Sequence, residues 1–325
     1  MRTLLVTGGA GFIGSHLCEA LLARGDRVVV FDNFDPFYAP AIKERNIERA
    51  KDNPRYRLVR GDLGDEKALA ALFAEEPFDG VVHLAALAGV RPSIRNPAAY
   101  ERVNGLGTVH LLERLRERPI PFVFGSSSSV YGARDRVPFR EDDACATPAS
   151  PYAATKRAGE LLAYASHRLF GIPTACLRFF TVFGPRQRPE MAIHKFARLI
   201  EEGGPVPMFG DGSTRRDYTY VDDVVSGTLA ALDRCAGYEI YNLGGSRMVT
   251  LADLIEKIAQ ALGKRPRIER RPEEPGDVPV TCADVTKAGE RLGYAPRVPL
   301  EEGLARFVAW FRADRERGTP LEAKG

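Results

Sequence analysis

The chain has 325 residues, enough for a large buried core and one or two domains. Its apolar fraction of 44% is that of a globular protein, and a net charge of +3 does not call for a polyanionic partner such as nucleic acid. Five scattered cysteines without a C-x-x-C pair argue against a disulfide frame or a metal site and fit a reducing cytoplasm, while no apolar run is long enough for a membrane span and the N-terminus lacks a signal peptide's apolar core.

Thr3–Thr7 reads as a short apolar strand, and Phe12–Ala23 carries apolar residues at helical spacing. Residues 27–31 form a nearly continuous β-branched run, as a strand buried on both faces requires. The strand signal recurs at Tyr56–Arg60, 80–84, 121–124 and 174–178, separated by helical patterns at Glu66–Glu75, 98–118 and 152–170. This alternation predicts an α/β fold, a parallel sheet wound on both sides by helices, with ligands at the C-terminal strand ends. After Arg178 proline and glycine become frequent and the elements are expected to shorten, which suggests a smaller α/β substrate domain. A helix at 221–232 and a strand at 239–242 read as returning to the sheet. The expected division is therefore discontinuous: 1–180 plus about 214–244 for the larger domain, about 181–213 plus 245–325 for the smaller.

The loop between first strand and first helix carries Gly8, Gly11 and Gly14. Glycines let a backbone turn tightly and approach a pyrophosphate, while Phe12 and Ile13 at the helix N-terminus offer free N–H groups. By itself the pattern also fits a plain strand–helix turn. Asp32, at the end of the second strand and followed by Asn33, adds a carboxylate placed to accept ribose hydroxyls and to repel a 2′-phosphate, which favours NAD over NADP. Asp62 and Leu63 after the third strand suit the adenine ring, and Leu84, Ala85 and Ala86 after the fourth suit the nicotinamide side. The neighbouring His83 reads as structural rather than as a base, and no metal set is expected.

Tyr152 and Lys156 stand at i and i+4 in SPYAATK, on one helix face, downstream of the hydroxyl run Ser126 to Ser129. A free phenol titrates near 10. The lysine ammonium and an oxidised nicotinamide are expected to favour the phenolate, with a serine hydroxyl holding the reacting sugar oxygen.

With these pieces in order, the chain resembles an extended short-chain dehydrogenase/reductase of the NAD-dependent sugar-nucleotide epimerase/dehydratase family, from Met1 to about Trp310. Further supporting stretches are HLAALAGVRPSI, NGLGT, RFFTVFGPRQRP and RRDYTYVDDV. The resemblance implies a Rossmann domain, Tyr152 as acid and base, Lys156 as its partner and Ser127 as the hydroxyl residue. It implies Arg216 on the nucleotide diphosphate, and Arg91, Phe209 and Asp277 among the substrate contacts. It also implies a homodimer built through the helices at 98–118 and 152–170, which read equally as plain core helices.

Family members that dehydrate resemble Thr-Asp-Glu where this chain has Ser127, Ser128 and Ser129, and decarboxylases resemble Thr-Ser-Glu. Neither acid is present, which leaves 4-epimerisation of a UDP-sugar through a 4-keto intermediate. Thr181, where UDP-glucose epimerases usually carry asparagine, and Arg188 resemble the UDP-glucuronate 4-epimerases. Ser127, Ser128, Ser129 and Thr181 are expected to hold a C6 carboxylate. Arg188 also reads as a surface arginine beside Pro189, and Thr181 as an ordinary strand-end residue. Epimerisation of UDP-glucose or UDP-N-acetylglucosamine, UDP-glucuronate decarboxylation and a non-catalytic NAD-binding regulator stay open. Gly125, where the family carries a small side chain, is expected to loosen its strand end.

Overall fold

The computed structural model describes residues 1–134, 136–272 and 278–318. Its strands are β1 (Thr3–Thr7), β2 (Arg27–Asp32), β3 (Tyr56–Arg60), β4 (Gly80–His83), β5 (Phe122–Ser127), β6 (Thr174–Phe179), β7 (Thr181–Phe183), β8 (Pro205–Phe209), β9 (Arg215–Tyr220), β10 (Tyr238–Leu243), β11 (Met248–Thr250) and β12 (Arg267–Arg271). Seven make the central sheet, in the order β10-β6-β5-β4-β1-β2-β3. Every pairing in it is parallel. The expected return of the chain to the sheet after residue 221 is β10, paired along β6.

Both faces of this sheet are buried because successive side chains of a strand point to opposite sides. Leu4, Val6, Val28, Val30, Val82 and Val123 face one side and pack in one core cluster with Leu17 and Leu21 of helix Phe12–Ala23 and with Val224 of helix Val221–Asp233. Leu5, Val29, Val81, Phe122 and Phe124 face the other, in a cluster with Leu69 and Leu72, Leu111 and Leu115, and Ala163. Those residues belong to helices Glu66–Glu75, Gly107–Glu117 and Pro151–Phe170. This two-sided burial is what makes the sheet strands legible as continuous apolar runs.

Beyond β6 the strands other than β10 form two small sheets, β11-β9-β7 and β12-β8, in which only β7 and β11, with three residues each, are shorter than the strands of the central sheet. The helices do not shorten with them. Leu251–Leu262 has 12 residues and Leu300–Glu316 has 17, each with a stripe of buried side chains. Proline and glycine mark the connections and say nothing of the helices between them.

The helix expected at 98–118 is also interrupted. A short helix Pro97–Tyr100 runs into a π-helical segment, Glu101–Leu106, before the α-helix Gly107–Glu117. The wide turn places Asn104, which is buried, against two other elements. Its amide accepts from the Leu87 N–H (2.9 Å) and donates to the Leu87 carbonyl (3.0 Å) and to Thr155 Oγ1 (3.1 Å). The NGLGT stretch is thus a bracket between the chain after β4 and the helix that carries Tyr152 and Lys156.

Candidate active site

In a doubly wound sheet the crevice opens where the strand order reverses. Here that point lies between β1 and β4, and the three loop glycines meet it differently. Gly8 has φ +72, and a Cβ there would stand 2.6 Å from the Ala85 nitrogen. A Cβ on Gly14 would stand 2.2 Å from the Gly8 carbonyl oxygen, so this glycine lets helix Phe12–Ala23 close onto the loop. Gly11, the N-cap, lines the crevice together with Phe12, Ile13 and Gly14. The first N–H groups of a helix have no partner within it and favour an anion. Asp32 is buried at the end of β2, accepting from the N–H groups of Ala10 (3.1 Å) and Phe34 (2.8 Å). This cradle fits a dinucleotide: a narrow glycine floor, a helix N-terminus and a carboxylate held at the second strand end.

All the residues expected at the cofactor line one cavity of about 380 Å³: Gly8, Gly11, Phe12, Ile13, Gly14, Asp32, Asn33, Asp62, Leu63, Leu84, Ala85, Ala86, Tyr152 and Lys156. Ser127, Ser128, Ser129, Thr181 and Arg188 line it too. Arg216 borders a smaller cavity of about 140 Å³ whose wall shares Val90, Ser128, Ser129 and Thr181 with the first. Arg91 and Phe209 lie against each other, the guanidinium 4.7 Å from the ring centroid, and line neither cavity. Asp277 lies outside the described residues.

Tyr152 and Lys156 project from the first turns of helix Pro151–Phe170, capped by Ser150, whose side chain accepts from the Ala153 N–H. The Ser127 hydroxyl lies beside the Tyr152 phenol and favours its ionised form. Ser127 Oγ in turn donates to Ser129 Oγ (3.1 Å) and accepts from the Ser129 N–H (3.1 Å). Lys156 donates to the Gly125 carbonyl at 2.7 Å. Burial pushes the Lys156 ammonium down to about 8, against the raising effect of Glu160. Burial also pushes the Tyr152 phenol up, although the Ser127 hydroxyl and the Arg188 charge favour its ionised form. Burial thus works against the charged form of both members of the pair.

Gly125 does not loosen its strand. A Cβ there would stand 2.9 Å from Leu84 Cδ2 and 3.2 Å from the His83 carbonyl oxygen, so the position is closely packed, and its carbonyl holds Lys156. Beneath the site Glu160 and Arg178 form a fully buried bidentate pair at 2.9 Å for both contacts. Ser126 Oγ donates to the same carboxylate at 2.6 Å. His83 is structural, as read from sequence: its ring nitrogens meet Thr7 Oγ1 (2.7 Å) and Thr108 Oγ1 (3.0 Å), and burial pushes it down to about 3.

Arg188 is not a surface arginine. It lines the cavity, donates from Nε to Glu190 (3.0 Å) and stands 5.7 Å from the Phe37 ring centroid. Three polar residues of the cavity were not among the expected site residues: Asp35, Tyr38 and Lys43. They come from the long segment after β2, where Lys43 is buried 3.9 Å from Asp32 and 5.1 Å from the Tyr38 centroid. One lysine among many charges gives no sign of this, since only the folding-back of helix Pro40–Asn46 brings it in.

Residues 4–244 match the NAD dependent epimerase/dehydratase family. A UDP-glucuronate 4-epimerase of Thermodesulfobacterium geofontis is 40% identical over 97% of this chain and 98% of its own length. The structure of UDP-glucuronic acid 4-epimerase from Bacillus cereus, in complex with UDP-glucuronic acid and NAD, is similar with a TM-score of 0.91 and 38% identity, covering 96% of this chain and 99% of that one. A dTDP-glucose 4,6-dehydratase from Streptomyces venezuelae, with NAD bound, reaches a TM-score of 0.92 at 34% identity over 98% of this chain and 100% of that one. Backbone similarity therefore does not separate the two reactions, and the side chains at the site have to.

Proposed function

The chain belongs to the NAD dependent epimerase/dehydratase family, and from that premise we propose that it catalyses the NAD-dependent 4-epimerisation of UDP-glucuronate to UDP-galacturonate. The observation that carries this reading is the composition of the wall around Tyr152. Ser127, Ser128, Ser129, Thr181 and Arg188 line the cavity with it, while the acids of the same cavity, Asp32, Asp35 and Asp62, stand at or just after the ends of β2 and β3, on the proposed dinucleotide side. Elimination of water has no acid and base here among the described residues.

The glycine loop, Asp32 and Lys156 would hold NAD, which supplies a hydride acceptor and donor when bound. Tyr152 takes the proton from the sugar C4 hydroxyl as that carbon is oxidised, and returns it after the 4-keto sugar has turned its other face. Ser127 holds the reacting oxygen. Lys156 stabilises the phenolate by its charge, anchored by the Gly125 carbonyl. The keto intermediate of glucuronate is a β-keto acid, and the hydroxyl cluster with Arg188 keeps its carboxylate charged and hydrogen-bonded, which disfavours loss of neutral CO₂.

The proposal extends to the division of the chain, 1–180 plus about 214–244 for the cofactor and about 181–213 plus 245–325 for the nucleotide sugar, with Arg216, Arg91, Phe209 and Asp277 on the UDP moiety. It includes action in the cytoplasm, in keeping with five unpaired thiols. It also includes a homodimer, supported by the exposed apolar residues Leu106, Leu161, Tyr164 and Leu169 on the two expected helices. The test is ¹H NMR of the protein with UDP-glucuronate and, in parallel, UDP-glucose. UDP-galacturonate should appear without CO₂, and Tyr152→Phe should abolish it. Turnover of UDP-glucose alone would sink the carboxylate assignment, and release of CO₂ would make the chain a decarboxylase.

A further inference from the structure

We infer that helix Phe12–Ala23, whose N-terminus builds the dinucleotide cradle, also sets the position of Arg188 through a latch of His16, Glu19 and Arg186. The inference rests on the role proposed for Arg188. The loop 184–188 leaves β7 and must bring a long, flexible side chain back over the cavity. Three consecutive residues before Arg188 are tied down. The Pro185 carbonyl meets His16 Nε2 at 2.9 Å. The Arg186 guanidinium meets Glu19 Oε1 at 2.5 Å. Gln187 donates from its side chain to the Val182 carbonyl (3.1 Å), accepts from the His194 N–H (3.2 Å), and its carbonyl stands 2.6 Å from His194 Nδ1.

Two of these ties reach helix Phe12–Ala23, one and two turns behind the glycine loop. His16 is half-buried and packs edge-on against Phe12, ring centroids 6.0 Å apart; desolvation holds its pKa down, so the neutral ring donates from Nε2 to the Pro185 carbonyl. Arg186 has φ +65, a left-handed backbone that a non-glycine residue adopts only where its surroundings hold it. The Glu19 contact is such a hold. From residues 185–187, held in this way, the chain passes to Arg188, which lines the cavity. His16, Glu19 and Arg186 are positioning residues: none of them lines the cavity.

The test uses the NAD-loaded full chain with Glu19→Gln, and with Arg186→Gly, which tolerates positive φ while deleting the guanidinium. Hydrogen exchange at residues 184–191 should quicken in both variants, with that of residues 12–23 unchanged. KM for UDP-glucuronate should rise about three- to fivefold, the scale of one partly exposed ion pair, while kcat and the affinities for NAD and UDP hold. The exchange of charges, Glu19→Arg with Arg186→Glu, should restore KM. Unchanged exchange at 184–191 overturns the latch whatever the substrate is. Faster exchange with an unchanged KM, or an equal loss of UDP affinity, overturns its role in positioning. Failure of the unmodified protein to turn over UDP-glucuronate overturns the functional reading instead, and the exchange measurement still decides the latch.

Discussion

Tyr152 and Lys156 stand one helical turn apart, and burial acts on them in opposite directions. The phenol is pushed up and the ammonium down to about 8. Below that value the lysine is charged and supports the phenolate; above it the support is lost as the proton leaves. The expected kcat/KM profile for UDP-glucuronate therefore falls above about pH 8. Lys156→Arg, which stays charged, should move that limb upward, and Lys156→Met should lower kcat by roughly 10²–10⁴-fold. A pH–rate series on the three proteins checks both. The spacing Tyr-x-x-x-Lys is visible in the sequence, but the charge state is not. It depends on desolvation by chain segments far from residue 152. His83 shows the other side of this: one histidine at a strand end reads correctly as structural, though Thr7 and Thr108 as its partners are known only from the fold.

At the level of elements, the sheet strands and the helices on them follow from local pattern, with ends differing by a residue or a few. The π-helical segment Glu101–Leu106 does not, because it serves contacts of Asn104 with residues 17 and 51 positions away. Asn104→Ala should cost about 1–3 kcal/mol, leaving buried partners unpaired, and denaturant unfolding would measure it. The packing of β5 makes a related point. Gly125→Ala brings a methyl against Leu84 and the His83 carbonyl, and about 1–3 kcal/mol of overpacking should appear in the same assay. A neutral result for Gly125→Ala would show that β4 yields to the added methyl. Glu160→Gln leaves the buried Arg178 charge with a neutral partner, and a loss of about 3–5 kcal/mol is expected.

Across the whole molecule one buried cluster runs from Leu4 and Val30 of the central sheet through Val182, Phe183 and Tyr220 to Ile258 and Phe307. The two proposed parts of the chain are thus stitched by a shared core, and unfolding is expected as one transition by both fluorescence and circular dichroism. The proposed dimer places a demand on the opposite surface. Leu161→Glu should shift sedimentation from dimer to monomer. A monomeric unmodified protein would return those helices to the simpler role of covering the sheet.

The sequence by itself determined the parallel sheet, the glycine loop, Asp32 and the Tyr152–Lys156–Ser127 set. These are carried by short-range periodicity and by spacings within single strand–loop–helix units, where backbone geometry alone brings the residues together. Only the tertiary structure decided that Arg188 faces the cavity, that Lys43 and Tyr38 join it, that Arg91 stacks on Phe209, and that Gly125 is tightly packed. Each of those facts depends on how segments distant in the chain pack, and packing is a property of three-dimensional neighbours that no local pattern records.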